Sequence, residues 1–159
     1  MEQESKGTRE QENRRTAYSY RNLDVWRRAQ DLALRVIELS STLPKSRAAD
    51  ILARQIIRSS GSVAANIAEG HGRFSLGAFR NHLQIARGSA CETDSWLDLL
   101  CRSKLIEAAS ASQLHQECEV IIAALTNRIR ALDRGAEGSR AVREEAVSYT
   151  LDDSDGPEE

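Results

Sequence analysis

Four stretches of this chain repeat apolar residues at intervals of three and four, and almost nothing interrupts them. Pro44 and Pro157 are the only prolines in 159 residues. Intervals of three and four line side chains along one face of a 3.6-residue helix. A half-buried strand would instead alternate, and no stretch of any length alternates. Tyr, Phe and Trp make up 4% of the chain, few for the faces of a sheet. The pattern therefore predicts an all-α fold.

The first helix is expected over about Leu23 to Thr42, with Trp26, Ala29, Ala33, Val36, Ile37 and Ser40 as its stripe. Asn22 is the expected N-cap, Asp24 suits the first turn, and Pro44 is the stop. The second runs from about Ser46, an N-cap, to Glu69. Its apolar face is Ile51, Leu52, Ile56, Val63, Ile67 and Ala68, with Ser59 and Ser60 between them. Gly70 is expected to end it as a left-handed cap. The third starts at the N-cap Ser75 and runs to about Lys104, along Phe79, Leu83, Ala86, Ala90, Thr93, Trp96, Leu97 and Leu100. The fourth covers about Ser110 to Asp133 through Leu114, Cys118, Ile121, Ile122, Leu125, Ile129 and Leu132, and Gly135 is its expected terminator. Short connections make sequential helices antiparallel neighbours. The expected organisation is a disordered segment over 1–18, an up-down-up-down antiparallel four-helix bundle over 19–135, and an acidic disordered tail over 136–159.

Helix two carries an unusual centre, Arg58-Ser59-Ser60-Gly61-Ser62-Val63-Ala64-Ala65. The glycine alone costs about 1 kcal/mol of helix propensity relative to alanine. Small side chains let helix backbones approach closely, so Gly61, with Gly88 and Ser89 of helix three, is expected at a tight crossing within the chain or between copies.

Charge is unevenly distributed. The net charge is −2, which taken whole argues against a generic nucleic-acid binder. Residues 18–135, however, carry 16 basic and 12 acidic side chains, and residues 136–159 carry two arginines against eight acids. The body is mildly basic and nearly all its positive charge is arginine, which holds phosphate and carboxylate in bidentate fashion. Arg27, Arg28, Arg35, Arg54, Arg58, Arg80, Arg128 and Arg130 are the candidate nucleic-acid contacts, a spread charge suited to phosphate backbone rather than to base reading. A closed ring of copies would multiply it over one surface. No apolar run approaches the roughly 18 residues of a membrane span, and the N-terminus carries no apolar core of a secretory signal.

Cysteines 91, 101 and 118 do not pair by number or spacing and read as small buried residues in a reducing compartment. His71, His82 and His115 stand at no metal-ligand spacing, so neither metal nor cofactor is expected. The densest polar feature is Asn66, Glu69 and Arg73, joined downstream by Arg87 and Glu92. As paired carboxylates, Glu69 and Glu92 suggest acid–base chemistry; as partners of arginines, they make a structural polar network that sets helix register. No nucleophile, base and orienting group accompany them, and the expectation is no enzyme.

Leu23-Asp-Val-Trp26, Gln55-Ile-Ile-Arg58, Asn66-Ile-Ala-Glu69-Gly70, Gly72-Arg73, Phe79, Leu83, Ile85-Ala86, Gly88-Ser89 and Glu92 together resemble the family of the 23S rRNA intervening-sequence proteins, over residues 20–133. The accessory proteins of diversity-generating retroelements are similar. The resemblance implies a small cytoplasmic bacterial four-helix bundle without catalytic activity, assembled as a homo-oligomer, commonly a pentamer. It also implies RNA or a nucleoprotein as partner. The alternative is a protein–protein scaffold with no nucleic-acid contact, in which the acidic tail occupies the basic surface or recruits a basic partner.

Overall fold

The computed structural model describes residues 19–152, with side chains placed for 19–137. The segment 1–18, expected to be disordered, lies outside the described residues, as do residues 153–159 of the tail. Four helices follow a 3-10 turn at Tyr20–Asn22: α1 (Asp24–Ser41), α2 (Arg47–His71), α3 (Leu76–Arg102) and α4 (Ala108–Asp152). They form the antiparallel four-helix bundle that the periodicity predicts. The α2–α3 interface is the most extensive, α3–α4 and α1–α2 follow, and α1–α4 is the slightest. No helix among the described residues is long and apolar enough to cross a membrane.

Two helix starts follow the serine signals. The Ser46 hydroxyl accepts the Ala49 N–H at 3.1 Å, and Ser75 accepts the Ala78 N–H at 3.1 Å, each removing one orphan donor of a first turn. Asn22 is not the cap of α1. It belongs to the 3-10 turn, which Ser19 caps, and Leu23 takes the N-cap of α1 without a side-chain bond. The turn brings Tyr20 edge-on to Trp26, with ring centroids 5.1 Å apart, so aromatic packing decides how the chain enters the bundle.

Both glycine stops are corrected. Gly70 lies inside α2, which continues to His71, and Gly72 closes the helix at φ −77°, in the right-handed region. Gly70 has a packing role instead. A Cβ placed there would stand 2.6 Å from His82 Cβ and 3.1 Å from the Phe79 ring. Gly135 does not end α4, and residues 136–152 of the expected tail are helical. The segment following Gly135 (Ala136-Glu137, then Arg140-Ala141-Val142-Arg143-Glu144-Glu145-Ala146) favours helix, and no proline interrupts it before Pro157.

The left-handed cap occurs where no glycine marks it. Lys104 has φ 57°. Its N–H bonds the Cys101 carbonyl at 2.9 Å, and the Leu105 N–H bonds the Leu100 carbonyl at 3.0 Å. This is a Schellman closure of α3, and its apolar partners Leu100 and Leu105 join the core as such closures favour.

The core comprises Ala29, Leu32 and Val36 of α1, Ile56, Val63, Ala64 and Ile67 of α2, Leu83, Ala86, Ala90, Leu97 and Leu100 of α3, and Leu114, Cys118, Ile121, Leu125 and Ile129 of α4. The stripes of α3 and α4 are buried as read. On α1 and α2 the stripes hold at Ala29, Val36, Ile56, Val63 and Ile67 and depart at their edges: Ile37 is 50% and Ile51 45% exposed, while Leu32 and Ala64 are buried. Cys118 is fully buried, and burial, helped by nearby Asp94 and Glu117, pushes its thiol up to about 12. Cys91 is exposed and Cys101 half-buried.

Two measurements check this packing. Gly70→Ala forces its methyl into His82 and lowers stability in urea unfolding by about 1–3 kcal/mol. Lys104→Gly relieves a left-handed side chain and raises it by about 1 kcal/mol. Separately, a thiol reagent at pH 8 modifies Cys91 in the folded chain and reaches Cys118 only on unfolding, since the thiolate is the reactive form. Peptide mass mapping showing equal labelling of the two would contradict the burial of Cys118.

Candidate functional site

All but one of the polar residues singled out in the sequence lie along the α2–α3 seam, where a run of small hydroxyl side chains separates the helices. Ser59 and Thr93 are buried at its centre. The Thr93 hydroxyl is 2.9 Å from both Ser59 Oγ and the Ser89 carbonyl oxygen, and Ser59 donates to the Ile56 carbonyl at 3.2 Å. One turn further, the Ser89 and Ser62 hydroxyls are 3.0 Å apart. Asn66 donates to the Ser62 hydroxyl at 3.0 Å and to its carbonyl at 2.9 Å. The other end of the Asn66 amide faces His82, with Oδ1 3.4 Å from Nδ1. The opposite His82 nitrogen lies 3.8 Å from Glu69 Oε1, and Arg73 donates to the same carboxylate. No buried side-chain donor or acceptor among the described residues is left without a partner, as buried polar groups require.

The expected network therefore divides. Asn66, Glu69 and Arg73 form one cluster at the α2 C-terminus, completed by Ser62 one turn earlier on α2 and by His82 of α3, the member that spacing within one helix does not reveal. Glu92 belongs to a second cluster higher on the seam, pairing with Arg58 at 2.6 Å and accepting the Trp96 indole N–H at 3.3 Å. Arg87 joins neither and makes no ion pair among the described residues. Glu69 and Glu92 are not a carboxylate pair, and the cavities at the α1–α4 groove and at the bundle end are lined by other residues. His115 Nδ1 is 2.6 Å from Asp94 Oδ1 across α3–α4. No group of three potential ligands among the described residues is close enough to hold a metal ion.

The expected tight crossing is displaced. A Cβ at Gly61 or Gly88 would meet nothing within 4 Å, so neither glycine serves helix contact within one chain. Gly61 stands five residues from the core residue Ile56, about 140° around the helix. Of the three small residues expected there, only Ser89 lies in the seam.

The arginines do not gather on one face. Arg28 pairs with Glu117 at 2.9 Å and Arg35 donates to Gln113 at 3.2 Å, both across α1–α4. Arg27 stays local, bonding the Arg21 carbonyl at 2.8 Å and lying 3.5 Å from Asp24. Arg58 reaches Glu92 across α2–α3. Arg80 is held by both oxygens of Asp133 across α3–α4, and this hydrogen bonding raises its pKa further. Arg54, Arg128 and Arg130 make no ion pair among the described residues. The pairs thus bridge three different seams of the bundle.

Comparison with known proteins places this architecture. The chain is similar over 66% of its length to a protein of unknown function from the S23 ribosomal protein family of Bacteroides thetaiotaomicron, whose crystal structure was determined at 1.70 Å; identity is 30%, the match covers 97% of that chain, and the TM-score is 0.63. No curated protein gives a significant sequence match. The family model described as 23S rRNA-intervening sequence protein matches residues 21–127. That span takes in the seam, both polar clusters and all but the last turns of the packed bundle, and the chain belongs to the 23S rRNA-intervening sequence protein family.

Proposed function

We propose that this chain is a non-enzymatic cytoplasmic module that assembles with copies of itself, as a ring of about five, and binds RNA or a nucleoprotein partner through arginines that the assembly gathers. The observation that carries this reading is the dispersal of the arginines. Arg54, Arg128 and Arg130 stand on two helices with no carboxylate answering them among the described residues, and one chain offers no face on which they converge. Phosphate binding without base reading needs several positive groups on one surface, which repetition around a ring supplies. Exposed Leu34, Ile37, Ile85, Leu99 and Val120 give the helices apolar surface for association. A non-catalytic role is supported by Glu69 and Glu92, each tied to its own arginine and separate from the other.

A second reading, a protein scaffold without nucleic-acid contact, is favoured by the pairing of Arg27, Arg28, Arg58, Arg73 and Arg80 with carboxylates of the same chain. Titration of a structured RNA at two salt concentrations separates the two. The first reading expects affinity to fall steeply with salt. It also expects Arg54→Gln and Arg130→Gln each to flatten the log–log slope by about 1 for each phosphate no longer neutralised. No shift of the RNA at tens of micromolar protein in low salt, with or without residues 136–159, overturns it in favour of the scaffold.

A further inference from the structure

The bundle end that carries the α2–α3 turn pairs a protruding apolar side chain with an apolar cavity. Phe74, at the tip of the turn, is fully exposed, and Leu76 beside it is 72% exposed. The turn holds Phe74 outward. Gly72 N–H bonds the Ala68 and Glu69 carbonyls at 3.2 and 3.1 Å, Arg73 N–H bonds the Gly70 carbonyl at 3.0 Å, and Ser75 immediately caps α3. Trp26, Phe79 and Trp96, by contrast, all pack against the core. At the same end, a cavity of about 250 Å³ opens between the start of α1, α3 and α4. Leu23, Val25, Phe79 and Leu125 wall it, Ala124 contributes only a methyl, and Asp24 and Arg128 stand on its rim.

The geometry points to a knob-and-hole contact between copies, in which Phe74 of one chain seats in the Leu23–Phe79–Leu125 cavity of the next. This rests on the oligomeric reading above and supplies its interface. The size fits: an apolar cavity of about 150 Å³ already accepts a benzene ring. The surroundings fit as well. The cavity rim carries one charge of each sign, Asp24 and Arg128, and so does the base of the turn, Glu69 and Arg73, so opposite charges can face each other across the contact. Knob and hole are different surfaces of the same chain. Each copy can therefore pass the contact on to the next, and repeated head-to-tail contacts close into a ring when the rotation between copies divides a full turn.

Analytical ultracentrifugation of the full chain and two variants tests the contact. Phe74→Ser removes the knob at a fully exposed position, where the fold itself does not depend on the ring. Ala124→Phe fills the hole from within. Each is expected to weaken association by about ten- to a hundredfold and to sediment near the single-chain mass of 17.6 kDa. Mixed in equal amounts, the two variants retain one intact knob and one intact hole, and the expected species has twice the single-chain mass and grows no further. A wild-type oligomer whose mass Phe74→Ser leaves unchanged overturns the knob-and-hole contact while the oligomeric reading stands. Loss of mass with Ala124→Phe alone also overturns it, since another segment then fills the cavity. A wild-type chain sedimenting as a single copy at a concentration of about 100 μM, where even a micromolar contact would be saturated, overturns both.

Discussion

The close approach of α2 and α3 is the constraint from which the rest of the bundle follows. Gly70 sets the distance at one end, where even a methyl would strike His82. Ser59, Ser62, Ser89 and Thr93 keep it small through the middle. Small side chains alone would leave thin packing and little apolar area. Here they carry hydroxyls, and every hydroxyl in the seam finds an oxygen on its own helix or its neighbour. The seam is narrow because its side chains are small, and it tolerates burial because they are satisfied. With α2 and α3 joined this way, the bulky apolar residues of both helices turn toward the other side. There Leu32 and Val36 of α1 and Ile121 and Leu125 of α4 meet them.

What the sequence makes legible depends on how local each cause is. Ser46 and Ser75 are readable as caps because capping depends on the residues of a single turn. The stripes of α3 and α4 are readable because each helix packs against neighbours over a broad arc. At the edges of the α1 and α2 stripes, neighbouring apolar positions compete for the inward direction, and periodicity alone does not choose between Ile37 and Leu32. The glycines mislead for a physical reason. A glycine after an apolar run signals either a cap or a close contact, and only the neighbouring helix decides. At Gly70 the neighbour is His82, twelve residues on. At Gly135 there is neither a cap nor a close contact, and favourable residues on its far side carry the helix through.

The polar site shows the same division. Asn66 and Glu69 lie in the last turns of α2 and Arg73 just beyond its end, and spacing suffices to group them. Ser62 stands one turn before Asn66 on α2 itself, whereas His82 completes the cluster from the register of α3 against α2, which no single-helix pattern contains. Motif alone would group Glu92 with them, yet it belongs to Arg58 and Trp96, because it stands nearly three turns beyond His82 along α3. Arg87 shares their stretch of sequence and none of their contacts, since it projects from another side of α3.

The arginine pairings bear on function less than their number suggests. Ion pairs at this exposure are worth about 0–1 kcal/mol each, and the Arg28 and Arg58 side chains remain 50% and 67% exposed. Exchanging such a carboxylate for a phosphate therefore costs little, and a paired arginine stays available to an anionic polymer. What one chain lacks is convergence, because its pairs sit on three seams facing different directions. A polyanion following the bundle would meet them one at a time, with cooperation lost to the distance between seams. Under the proposed assembly, the relevant geometry is the direction each seam would face with copies placed side by side. In such an assembly, a contact that fixed the rotation of one bundle against the next, such as the proposed one at the turn bearing Phe74, would decide which seam became the common surface.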